Sequence, residues 1–189
     1  VSGFLFAFLC AVLAGIGARD QLLVAQLSAR LGSHIGLLIA ALVTAVATSA
    51  VAAWAATVLS AEVAGPARLV FAAMALGIAG IEALLLSARK APAEPTRSLF
   101  AAALVLLAQQ ATDAVRFVIL AVALLTAAPI SAGMGGATGS AALLAAAWAF
   151  PELATANRLR DSANLGTLRR IAGGVLLIAA LALVWRVFS

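Results

Sequence analysis

Charge is scarce in this chain. Only 10% of its residues are Asp, Glu, Lys or Arg, against 65% hydrophobic, where a soluble globular domain carries roughly a quarter charged residues. A chain of 189 residues cannot hide that much apolar surface in a core of its own, so lipid is the expected solvent. Lipid-exposed backbone must satisfy its own polar groups, which leaves helices or a closed barrel. The apolar runs here are long, rich in Ala and Leu, and do not alternate, so helices are selected. Cysteine is nearly absent as well. The single Cys10 excludes an internal disulfide and any cysteine-based metal cluster. Also missing are a Walker loop, an HExxH pair, a nucleophile elbow and a CxxC pair, so the common soluble-enzyme chemistries have no carrier and a non-enzyme is expected.

The charge that remains is mostly basic, with a net of +5. In a membrane protein such an excess collects in cytoplasmic loops, and this reading is preferred to nucleic-acid binding. A membrane-crossing helix needs about 20 mostly apolar residues. Six segments qualify, roughly 2–30, 35–60, 67–88, 98–127, 133–157 and 167–188. No basic stretch precedes the first run, so it is expected to be a membrane helix, not a cleaved signal. The first and fourth segments exceed one bilayer thickness and must tilt, bend or protrude. With six spans, the loops after the first, third and fifth carry Arg30, Arg89, Lys90, Arg97, Arg158, Arg160, Arg169 and Arg170, while the other side has Arg68 and Arg186. The positive-inside rule then places the central loop in the cytoplasm and both termini outside, with a bacterial inner membrane as the expected location.

The halves are weakly alike. "FLFAFLCAVLAGIGARDQLLVAQL" resembles "SLFAAALVLLAQQATDAVRFVILAV" at a shift of 95 positions, pairing Ala18 with Asp113 and Gln21 with Arg116. Three spans per half is an odd number, so the halves would be inverted. The expected fold is therefore all-α: a first three-helix repeat over 1–90, a cytoplasmic loop over 91–97 and a second repeat over 98–189. Inverted repeats are common in transporters, whose sites lie near the midplane at the repeat interface. Small residues suit close helix packing, namely Gly135 and Gly139 in the fifth segment and Thr44, Thr48 and Ala52 in the second.

Charges inside a span cost at least roughly 2.5–3.5 kcal/mol each and mark function by default. Arg19 and Asp20 lie in the first long segment, and Asp113 and Arg116 in the fourth. In a continuous helix Gln109, Gln110, Asp113 and Arg116 would share one face. Across the repeat axis, Arg19 is expected to pair with Asp113, and Asp20 with Arg116. Glu82 reads as interfacial, near Arg89 and Lys90. Pro151 is expected to kink the fifth helix, with Glu152 at the interface, and His34 reads as a solvated loop residue.

Two charged motifs in long helices, with three spans per half, resemble the Gdt family of cation/proton exchangers, also called the transmembrane protein 165 family. Each half of a typical member carries Glu-x-Gly-Asp-(Lys/Arg)-(Thr/Ser), usually followed by Gln. In "GIGARDQLLVAQLSARLG" (15–32), Gly17, Arg19 and Gln21 match, while Gly15 and Ala18 stand at the acidic positions. In "QATDAVRF" (110–117) only Asp113 matches, and Gln110, Thr112 and Arg116 replace the family's Glu, Gly and Gln. "GGATGSAALL" (135–144) is similar to the start of the family's fifth helix.

The resemblance implies a manganese or calcium antiporter exchanging its cargo for protons, with no resident cofactor. Asp113 would be the metal ligand or proton carrier, Asp20, Gln21, Gln109, Gln110 and Thr112 would add oxygens, and Arg19 and Arg116 would set the local charge. Hard dications need several oxygens and a negative balance. Asp20 and Asp113 against Arg19 and Arg116 give zero. A non-transporting scaffold or partner subunit of the same fold, working with a second membrane protein or as a homo-oligomer, is therefore the alternative. Transport of a small organic solute held by an arginine is the third reading.

Overall fold

The computed structural model describes residues 2–63, 65–85, 98–152 and 163–189, the side chains of 163–165 excepted. The expected central loop and the basic residues Arg89, Lys90, Arg97, Arg158 and Arg160 lie outside them. Among the described residues the chain is helical throughout, with no strand. The helices are α1 (Ser2–Gly15), α2 (Arg19–Leu31), α3 (Ile35–Glu62), α4 (Pro66–Leu85), α5 (Leu99–Ala111), α6 (Ala114–Thr126), α7 (Pro129–Ala149) and α8 (Ala163–Phe188). Four of them are long and apolar enough to cross a membrane, and the number rises to six if each bent pair forms one span. Large apolar side chains such as Leu13, Trp54, Ile178 and Trp185 stand outward, as lipid-facing positions would.

Neither long charged segment is one helix. α1 and α2 meet at 63°, and α5 and α6 at 50°. The first break turns on Gly17, at φ +73°, a left-handed conformation that glycine adopts without a Cβ penalty. The second runs through Thr112 and Asp113, with Asp113 at the N-cap position of α6. The continuous polar face expected over Gln109–Arg116 is thereby cut in two: Gln109 and Gln110 end α5, and Arg116 starts a different helix. No proline lies at either break; side chains hold the freed backbone, Gln21 and Arg169 at Gly17 and Arg19 at Thr112.

Small residues set the packing. A Cβ at Gly135 would stand 2.1 Å from the Phe4 carbonyl oxygen, and one at Gly139 would stand 2.9 Å from that of Phe8. The glycine pair of α7 therefore lets α1 lie against it backbone to backbone, and the register shows the two helices running parallel. Gly80 and Gly173 do the same for α4 and α8, each Cβ position facing the other's carbonyl at 2.8 and 2.9 Å. Those two helices are antiparallel, since Glu82 meets Arg169 while Gly77 meets Ala180. α3 packs on α7, α5 and α6, burying Thr44, Thr48 and Ala52 as expected. α7 ends at Ala149 and helix resumes at Pro151 and Glu152 after the single non-helical Phe150, so the fifth segment is interrupted just before the proline; its continuation over 153–157 lies outside the described residues. His34 caps α3 by accepting the Gly36 N–H on Nδ1 at 3.1 Å.

Candidate functional site

Both breaks carry backbone groups with no helical partner, and the charged residues gather around them. Arg169, from α8, donates to the Gly17 carbonyl at 3.0 Å. Arg19, from α2, donates to the Thr112 carbonyl and hydroxyl, both at 3.4 Å. Gly17 and Thr112 are the positions that the 95-residue shift superimposes. Each break is thus capped by an arginine from the other half of the chain.

Glu82 joins the two caps. One nitrogen of Arg169 donates to both of its carboxylate oxygens, at 2.9 and 2.7 Å, and Arg19 stands 3.1 Å away. Glu82 and Arg169 are both buried. This corrects two expectations: Glu82 is not interfacial, and Arg169 is not a loop charge. It also replaces the expected ion pairs. Arg19 pairs with Glu82, and Asp113 has Arg169 as its nearest basic group, at 3.8 Å. Asp20 and Arg116 act on each other electrostatically but come no closer than 4.0 Å among the described ion pairs. The reason is geometric. The bend turns α2 and α6 off the axes of α1 and α5, and α4 and α8 supply nearer partners than the opposite motif.

The remaining site residues divide between the halves. Asp20, in the first turn of α2, accepts the Gln21 N–H at 2.7 Å, a position where the helix dipole favours a carboxylate. The Gln21 side chain turns back to accept the Gly17 N–H at 2.7 Å and so closes the first break. Arg116 is buried and donates from Nε to Thr48 Oγ1 at 2.6 Å and from Nη1 to Ser140 Oγ at 2.8 Å. A cavity of about 10 Å³ lies beside Asp20, Gln21 and Ser140, room for one water molecule.

The second break gathers unmet side-chain oxygens, whereas near the first the unmet atoms are the donors Arg19 Nε and Arg169 Nε. Asp113 Oδ1, Gln110 Oε1 and Nε2, and Gln109 Oε1 are buried without a hydrogen bond among the described residues. Asp113 occupies an N-cap position, where Asp usually caps the helix, yet its side chain makes no cap bond. No group of three or more His, Cys, Asp or Glu side chains able to hold a metal occurs among the described residues. Comparison with protein-family models, with characterised proteins and with solved structures finds no match to this chain.

Proposed function

We propose that this chain is an integral membrane transporter of the cation/proton-exchanger type, built as two inverted three-helix repeats, with Asp113 as the group that its cargo and protons share. One observation carries the reading. Three buried oxygens at the α5–α6 break, on Gln109, Gln110 and Asp113, accept no hydrogen bond from the described residues, and the Asp113 oxygen has only the ion pair to Arg169 at 3.8 Å. A buried polar atom left unpaired costs about 1–3 kcal/mol, and oxygens of this kind are what a hard cation takes as ligands. Supporting it are the two broken helices 95 positions apart, the antiparallel crossing of α4 and α8, and the reciprocal arginine caps. Half-helix ends facing a midplane site are a transporter device. The central loop is then cytoplasmic and the termini outside, in a bacterial inner membrane.

Charge decides how such a site works. Asp20, Glu82 and Asp113 balance Arg19, Arg116 and Arg169, so the cluster starts neutral. A manganese or calcium ion gains a place at Asp113 only by displacing Arg169, which stands 3.8 Å away as a built-in counter-ion. A proton does the same at lower electrostatic cost. Uptake of manganese or calcium into proteoliposomes driven by a pH gradient tests the reading. Asp113→Asn should abolish uptake while leaving the fold intact. Absence of uptake by the correctly folded wild-type chain overturns it.

The clasp of Glu82 between two arginines favours a second reading, a non-transporting scaffold or partner subunit locked by its charges. Thermal stability that is indifferent to added manganese and calcium, together with no uptake, would select it.

A further inference from the structure

Arg116 is the one buried arginine without a carboxylate within 4.0 Å among the described residues. Arg19 and Arg169 share Glu82. The two acids that act on Arg116 are Asp20 and Asp113, and both have nearer partners: Asp20 accepts the Gln21 N–H, and Asp113 lies beside Arg169. Only 5% of Arg116 is exposed. Neutral hydroxyls hold its Nε and Nη1, and its Nη2 donates to no described residue. A buried guanidinium without an anion is costly in a protein interior and more so in a membrane.

The space next to it offers a remedy. A cavity of about 250 Å³ lies between α3, α5 and α6, and Arg116 and Thr48 line it together with apolar side chains that include Val51, Ala55, Leu107 and Phe117. Neither Asp20 nor Asp113 lines this cavity. Among the described side chains that line it, the polar ones are the Arg116 guanidinium and the Thr48 hydroxyl, which match one carboxylate head, and the apolar walls match a hydrocarbon body. A phosphate would bring more charge and more acceptors than these donors can meet. We infer that the cavity binds an apolar monocarboxylate, its head on Arg116 and its chain along Val51, Leu107 and Phe117. The site is distinct from the Asp113 oxygens, and its existence does not depend on manganese or calcium transport.

Calorimetric titration of the full-length protein in detergent with hexanoate, and in nanodiscs with oleate, tests this. The first probe represents a carboxylate taken from water and the second one supplied by the bilayer, and saturable binding of either meets the proposal. 1-Hexanol should bind at least about tenfold more weakly than hexanoate, because it lacks the charge-assisted hydrogen bond. Arg116→Gln should weaken carboxylate binding by about ten- to a hundredfold. Ala55→Phe, which fills the cavity and leaves every charge in place, should abolish it and covers the case in which the Arg116 variant does not fold. Equal binding of hexanol, undiminished binding by Ala55→Phe, or no binding of either carboxylate overturns the inference.

Discussion

Arg169 holds the Gly17 carbonyl at 3.0 Å with the same guanidinium that grips Glu82 at 2.7 Å. A single side chain on α8 thereby fixes a helix break in the first half of the chain and neutralises an acid on α4. Removing one member of a buried ion pair costs about 3–5 kcal/mol, because it strands the other charge. Arg169→Gln should therefore lower stability by about 3 kcal/mol, near the lower end since Arg19 still reaches Glu82. The double variant Glu82→Gln/Arg169→Gln should recover at least half of that loss in thermal unfolding in detergent. A charge reversal, Glu82→Arg/Arg169→Glu, should not recover it. Arg19 would then face an arginine, and Asp113 a glutamate.

Gly17 makes a separate demand on the first break. Nothing lies within 4 Å of where its Cβ would be, yet its φ is +73°. Any loss on substitution is then backbone strain and not a clash. Gly17→Ala should cost about 1–2 kcal/mol, the usual penalty for the left-handed conformation, and Gly17→Asn should cost less. Equal losses for the two, read by chemical or thermal unfolding, would mean that the break is not held in this conformation.

The segments themselves were legible in the sequence because hydropathy and length report directly on helices. The outcome for the charges was less legible. The length of the first and fourth segments called for a tilt, bend or protrusion, and the bend is what occurs. Its position at Gly17 and Thr112, however, depends on arginines from the other half and cannot be read from local pattern. Glu82 reads as interfacial because it lies near a polar stretch, although "GIAGIEALLL" surrounds it with apolar residues and signals a buried acid. Arg169 reads as a loop charge because "RR" beside a polar stretch is indistinguishable from one until α4 is brought against it. Asp113 and Arg116 were found in sequence because no loop signal excuses their charge, but their partners lie on α8, α3 and α7, at distances along the chain that pattern does not encode.

Close backbone packing between α1 and α7 rests on Gly135. A Cβ there would meet three Phe4 backbone atoms at 3.0 Å or less, and backbone cannot rotate away as a side chain can. Gly135→Ala should destabilise by about 1–3 kcal/mol or more through overpacking. Gly174→Ala is the control. The same change in α8 meets nothing within 4 Å, so it should be neutral or gain up to about 1 kcal/mol from helix propensity. A Gly135→Ala protein with the wild-type melting temperature would show that α1 and α7 do not touch here.

Orientation follows from the same spans and can be read by labelling single cysteines. In a Cys10→Ser background, cysteines at Ser98 or His34 mark one side and cysteines at Glu62 or Ile130 the other. All four positions are exposed. If the basic loops are cytoplasmic, a membrane-impermeant maleimide applied to intact cells should label the Glu62→Cys and Ile130→Cys proteins. The Ser98→Cys and His34→Cys proteins should react only after the membrane is opened. The pairing within each side tests the span count independently of the sign. His34 and Ser98 are separated by α3 and α4, and Glu62 and Ile130 by α4 and the bent pair α5–α6. With α3 and α4 each crossing once, His34 and Ser98 share a side, and Glu62 and Ile130 share the other when the bent pair crosses as a single span. With α3 and α4 both crossing, labelling of Glu62 without Ile130 would make the bent pair a re-entrant loop and overturn the proposed inverted repeat and, with it, the proposed Asp113 site.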